Sequence, residues 1–178
     1  MGTAGSMTIE ENLAMADARG RRRRLSLAVN AARRRRFRDE LAKLGLGLED
    51  RLDARVRFLS GGQRQALALL MAILQRPLLL LLDEHTAALD PRTARLILRL
   101  TEQVVREQRL TALMITHNLE HALAMGDRTV MMHDGRVAMD VAGEQRAALT
   151  VDALLAEFAR VWGDRPAGHV VSQGGAFN

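Results

Sequence analysis

The spacing of apolar positions changes several times along the chain, and each change predicts an element. Ile9, Leu13 and Ala16 recur at helical spacing behind Thr8, with Glu11 at the reciprocal position of a capping box, and Gly20 ends the pattern. A second helix is expected from the good cap Asn30 to about Leu44, where Gly45 and Gly47 stop it. Residues 46–59 are mixed and irregular, whereas QRQALALLMAILQ over 63–75 is a strong helix former closed by Pro77. Five leucines, Leu78 to Leu82, then run directly into Asp83 and Glu84. A short, fully apolar run bounded by proline and acid predicts a central parallel strand covered on both faces.

Pro91 can open the next helix, expected over 92–108 with Leu96, Leu100 and Val104 on one stripe. LTALMIT over 110–116 predicts a second buried strand, and residues 117–124 a short helix ended by Gly126. The pattern then alternates: 128–133 and 136–141 around Asp134-Gly135 predict a β-hairpin. A helix over 151–161 follows, and the residues beyond it are expected to form a disordered tail. Strand–helix–strand–helix behind a helical front half predicts an α/β fold with a helical subdomain. The expected division is a mainly helical part over 1–76, the α/β remainder over 77–161, and the tail over 162–178.

Composition sharpens this picture. At 48% hydrophobic and 3% aromatic, the core must be built from Leu, Ala, Met and Val. With no cysteine, disulfides and thiolate metal sites are excluded. No secretory pattern opens the sequence, and its longest apolar run falls short of the ~20 residues of a membrane helix, so a soluble intracellular domain is expected. The net charge of +5 is almost wholly arginine: Lys43 is the only lysine among 26 basic residues. RGRRRR at 19–24 and RRRRFR at 33–38 are dense enough to attract nucleic acid or anionic lipid. Single-strand binding usually adds stacking aromatics, and only Phe37 lies near either cluster, which argues against a nucleic-acid partner.

Carboxylates at the outgoing end of a central strand lie where open α/β sheets place their ligands. Neighbouring Asp83 and Glu84 point in different directions and can take separate roles, one on a divalent cation and one on an attacking water. Ser60-Gly61-Gly62 precedes a helix, so its hydroxyl and backbone N–H groups can cradle an anion. His117, straight after the second strand, is expected on the same side as a hydrogen-bond donor to phosphate.

FLSGGQRQ at 58–65, LLLLLDE at 78–84, AALD at 87–90 and THN at 116–118 stand in this order, and the sequence resembles the ATP-binding-cassette (ABC) ATPases. TIEENLA at 8–14 is similar to the segment behind that family's glutamine loop. The resemblance covers roughly residues 2–158 and implies the C-terminal portion of a P-loop NTPase-like domain, with ATP and Mg²⁺ as cofactors. It implies that Asp83 helps bind Mg²⁺, Glu84 polarises the attacking water and His117 senses the γ-phosphate. Ser60, Gly61, Gly62 and Gln63 would close over ATP held by a second ABC ATPase subunit, and Asp90 would belong to the shared dimer loop. The implied partners are that second subunit, membrane permease subunits docked on the helical subdomain, and a periplasmic or lipoprotein substrate-binding protein. The implied place is the cytoplasmic face of the plasma membrane.

Two departures matter. No G-x-x-x-x-G-K-[ST] phosphate loop occurs, and DELAKLGLG around Lys43 is no substitute. The chain is therefore expected to be a fragment starting just behind the glutamine loop, inactive alone and exposing apolar strand surface. The family's usual proline after the catalytic glutamate is His85 here. DEHTAALDP, together with the arginine-rich segment before it, is similar to a bacterial importer branch for amino-acid-type substrates. The competing readings are a soluble ABC-type ATPase acting on nucleic acid or ribosomes, and a non-catalytic interaction protein.

Overall fold

Thr8 opens the first helix, α1 (Ile9–Asp17), through a complete capping box: its hydroxyl accepts from the Glu11 N–H at 3.2 Å and the Glu11 carboxylate accepts from the Thr8 N–H at 2.7 Å. The computed structural model describes residues 2–20 and 30–162, which form two compact units, Met1–Met114 and Ile115–Asn178. The expected tail over 162–178 lies, apart from the last helical residue, outside the described residues, as does most of the first arginine cluster.

In the first unit, α1 is followed by α2 (Ala31–Ala42), a single 3₁₀ turn (Val56–Phe58), α3 (Gly61–Ile73), β1 (Leu79–Asp83), α4 (Pro91–Gln108) and β2 (Thr111–Ile115). β1 and β2 pair in a two-stranded parallel sheet, with α4 as the crossover between them. Ile9, Leu13, Phe37, Leu41, Leu67, Leu70, Leu80, Leu82, Ile97 and Leu100 share one core drawn from all four helices and β1. The aliphatic composition is thus used as expected, with Phe37 the one large aromatic inside it.

The second arginine cluster is part of this packing. Asp17 is almost wholly buried at the end of α1, and it accepts from Arg36 at 2.8 Å and from the Gln75 side chain at 2.7 Å, with Arg33 3.5 Å away. Arg34 reaches Glu10 at 3.0 Å and also pairs with Asp53. α2 therefore spends its charges on neighbouring elements, and its apolar contribution is only Phe37 and Leu41.

Four expectations need correction. β1 is covered on one face only: Leu80 and Leu82 are buried, while Leu79 and Leu81 are 48% and 65% exposed. β2 is likewise mostly exposed rather than buried, because its described sheet has only two strands. α3 begins at Gly61, two residues earlier than its propensity suggests, because Ser60 and Gln63 form a second capping box that overrides the glycines. In α4 the buried residues are Ala94, Ile97, Leu98, Leu100 and Thr101; of the expected stripe Leu100 is buried, while Leu96 and Val104 lie at its flank.

The second unit continues with α5 (Leu119–Ala124), the hairpin β3 (Arg128–His133) and β4 (Arg136–Ala142), the unforeseen short α6 (Gly143–Ala147), and α7 (Val151–Trp162). Asp134 and Gly135 both take the left-handed conformation that a two-residue hairpin turn requires, at φ 46° and 73°. Arg128 and Asp140 form a paired fork across the strands, and a bulge interrupts the ladder at Met131/Met132. Arg146 of α6 donates to the carbonyls of Leu123 at 2.5 Å and Met125 at 2.9 Å, closing the carboxyl end of α5. Among the described residues, no helix is long and apolar enough to cross a membrane.

Candidate functional site

β1 ends on Asp83, whose side chain is exposed. Directly after it the chain turns: Glu84, half-buried, adopts a left-handed backbone at φ 46°. An L-residue there crowds Cβ against the following carbonyl, so the surroundings must hold it. The Ala87 N–H donates to the Glu84 carbonyl and the Leu89 N–H to the Thr86 carbonyl, both at 3.1 Å, and the Thr86 side chain is buried. The turn hands over to α4 through Asp90, whose carboxylate accepts from the N–H groups of Arg92 and Thr93 at 3.1 and 3.0 Å. Hydrogen bonding from Thr93, side chain first and backbone next, holds the Asp90 carboxyl below the usual aspartate value.

The Ser60-Gly61-Gly62-Gln63 segment is the cap and first turn of α3. The Ser60 hydroxyl accepts from the Gln63 N–H at 3.2 Å, and the Gln63 side-chain oxygen accepts from the Ser60 N–H at 3.2 Å. Ser60 is exposed, so the segment's entrance faces outward, while Gly62 is buried. The first intrahelical bond runs from the Arg64 N–H to the Ser60 carbonyl at 2.9 Å, and the N–H groups of Gly61 and Gly62 precede it.

This helix start meets the loop leading into α4. A Cβ on Gly61 would lie 3.3 Å from Leu89 Cδ2, and one on Gly62 would lie 2.3 Å from Thr93 Cγ2. Gly61 and Gly62 thus lie against Leu89 and Thr93, on either side of Asp90 in sequence, with Asp83 and Glu84 at the other end of the same β1–α4 connection. His117 belongs to the second unit. It precedes α5 rather than opening it, because Asn118 is the cap: its side chain accepts from the His121 N–H at 2.9 Å, and its own N–H donates to the Thr116 hydroxyl at 3.0 Å.

Sequence reasoning missed Thr93, the residue that fills the notch left by Gly62. The signal was available in Asp90-Pro91-Arg92-Thr93: a cap, a proline at the first helical position, and a hydroxyl residue at the third. Chemically, the outgoing end of β1 offers one exposed carboxylate suited to a hard divalent cation and one half-buried carboxylate able to accept a proton. The start of α3 offers an exposed hydroxyl and the N–H groups of its first turn, donors of the kind that suit an anion.

The family described as ABC transporter matches residues 3–87. A tyrosine transport ATP-binding protein of Clostridioides difficile (strain R20291) is 45% identical over 158 residues, which are 89% of this chain and 62% of that relative. An aliphatic sulfonates import ATP-binding protein of Burkholderia cenocepacia (strain HI2424) is 47% identical over 97 residues, 54% of this chain and 30% of the relative. The chain therefore spans less than two thirds of the length of these curated relatives. Among solved structures, a metal-chelate-type ABC transporter in an inward-facing conformation matches with a TM-score of 0.69 at 23% identity, covering 89% of this chain and 60% of that one. The sequence match over 3–87, the identity extending well beyond it and the shared fold agree in what the chain is similar to: the ATP-binding proteins of ABC transporters.

Proposed function

We propose that this chain is the ATP-binding, ATP-hydrolysing part of a bacterial ABC importer subunit, acting as half of a pair. The observation that carries the reading is the delivery of Asp83 and Glu84 to the outgoing end of β1, on the same connection whose far end packs against the start of α3. Mg²⁺–ATP, when bound, supplies the phosphorus centre and the leaving diphosphate. Asp83 suits the cation as a single exposed carboxylate, because Mg²⁺ takes few protein ligands and keeps water and phosphate oxygens. Glu84 orients the attacking water and accepts its proton, and His117 donates a hydrogen bond to the terminal phosphate. Ser60, Gly61, Gly62 and Gln63 present the start of α3 to the nucleotide of the second ABC subunit, and Asp90 lines the shared interface.

The two named relatives are an amino-acid transporter component and a sulfonate importer component, so an importer of small anionic or zwitterionic solutes is the substrate class supported. The rest of the assembly would be permease subunits against the helical first unit and a substrate-binding protein. The subunit would then sit peripherally on the cytoplasmic membrane face. The arginines of α2 give little support to nucleic-acid binding, since Arg33, Arg34 and Arg36 face Asp17, Glu10 and Asp53.

With no phosphate loop in its sequence, the chain alone should release no phosphate from Mg²⁺–ATP above its Glu84→Gln variant. Clear Glu84-dependent hydrolysis by the purified chain would overturn that point. Mixed with a full-length ABC ATPase subunit, the chain should associate in the presence of ATP, and Ser60→Arg should abolish the association. Association that ignores both ATP and Ser60 would sink the paired reading.

A further inference from the structure

We propose that His85 is a positioning residue for Glu84, fastening the turn that carries this carboxylate to the buried face of α4 through Thr101. The inference rests on the proposed role of Glu84 only for its functional meaning; its geometry stands independently.

Thr101 is 1% exposed and is the last residue of the buried face of α4. Its hydroxyl donates to the Ile97 carbonyl at 2.8 Å, which commits its only proton. The His85 Nε2 lies 3.3 Å from the same oxygen. With its proton directed at the Ile97 carbonyl, the Thr101 oxygen is left free to take part in the contact with the His85 ring. The half-buried imidazole therefore spans from the residue next to Glu84 to a helix position sixteen residues on.

That link has work to do because of the backbone it adjoins. Glu84 is left-handed at φ 46°, a conformation an L-residue keeps only where its surroundings over-determine it. Upstream, β1 restrains it. Downstream, the Ala87 and Leu89 N–H bonds close the turn on itself. The His85–Thr101 contact ties the turn to the helix core, and so sets where the Glu84 carboxylate emerges beyond the strand. A catalytic carboxylate must keep its geometry to within a fraction of an ångström, which gives such a tether its value.

Thr101→Val removes the accepting oxygen while keeping the volume and branching of the side chain, so the fold should survive; Thr101→Ser keeps the acceptor. Amide hydrogen exchange on the full chain should show Ala87 and Leu89 losing about tenfold in protection in Thr101→Val, the equivalent of one hydrogen bond. Ile97 and Leu98 in α4 should change little, and Thr101→Ser should behave as the parent. The ring ¹⁵N shifts of His85 should move in Thr101→Val, which loses the contacting oxygen, and match the parent in Thr101→Ser. Unchanged Ala87 protection, or a loss spread evenly over α4, would overturn the proposal. The two claims separate cleanly: phosphate release that survives Glu84→Gln in the paired assembly refutes the role of Glu84, while the exchange pattern still judges the tether.

Discussion

Gly62→Ala should destabilise the first unit although alanine is the better helix former. The added Cβ would lie 2.3 Å from Thr93 Cγ2, about 1 Å inside ordinary van der Waals contact. Thr93 cannot simply rotate away: it is β-branched on a helix, and its N–H is bonded to the Asp90 cap. Overpacking of this kind costs about 1–3 kcal/mol. Replacing glycine in a helix returns at most about 1 kcal/mol, and less in the first turn. The net loss should be about 1–2 kcal/mol, which at a urea m-value of about 2 kcal/mol/M lowers the unfolding midpoint by about 0.5–1 M. Urea unfolding followed by circular dichroism measures it, with an unchanged slope as the condition for reading it as stability. The clash is confined to Cγ2, since Thr93 Oγ1 stands 3.9 Å away, so the double variant Gly62→Ala/Thr93→Ser should recover most of the loss. Gly61→Ala is the control, because its neighbour at 3.3 Å is the flexible end of Leu89. A Gly62→Ala protein as stable as the parent, or one that Thr93→Ser does not rescue, would refute the notch.

Three further outcomes follow. Asp17→Ala should cost about 2 kcal/mol, since it removes the buried acceptor of the Arg36 and Gln75 hydrogen bonds while the half-exposed Arg36 turns to water, and the thermal midpoint measures it. Asp90→Ala should lower the midpoint at neutral pH. Because folding depresses the Asp90 pKa, its contribution is complete above the unfolded value of about 3.9 and disappears as pH falls through the lower folded value. The parent and variant midpoints should therefore converge in strong acid, and a gap that persists there would contradict the cap. Arg146→Ala should leave the carbonyls of Leu123 and Met125 without their donor, so hydrogen exchange should accelerate in α5 while the β3–β4 ladder stays protected.

What could be seen in the sequence was local. Thr8 with Glu11, Asn30 and Asp134-Gly135 each carry their instruction within four residues, and each forms as expected. Ser60 with Gln63 carries the same instruction, but two intervening glycines concealed it behind their poor helix propensity. Coverage was not local. The run LLLLL by itself reads as a strand covered on both faces; the number of neighbouring strands decides, and the expected loss of neighbours agrees with the exposure of Leu79 and Leu81. The same holds for Asp17, whose burial depends on arginines sixteen and nineteen positions away that look like a solvated run. At the candidate site, the acids were plain as chemistry, whereas Thr93 and Thr101 act through distance relations that no spacing rule encodes.

The leucine run has one more consequence. A strand whose residues are all alike reads the same after sliding by one position, so its apolar pattern cannot hold it in place. In β1 the inward side chains are Leu80 and Leu82; a slide of one would turn Leu79, Leu81 and Asp83 inward instead. The leucines would not notice the exchange, but an ionised carboxylate driven into an aliphatic core would be strongly opposed. Asp83 is thus the pawl of the strand: the acid at the end of the run keeps its four interchangeable leucines from creeping, and an Asp83→Leu chain would lose its place.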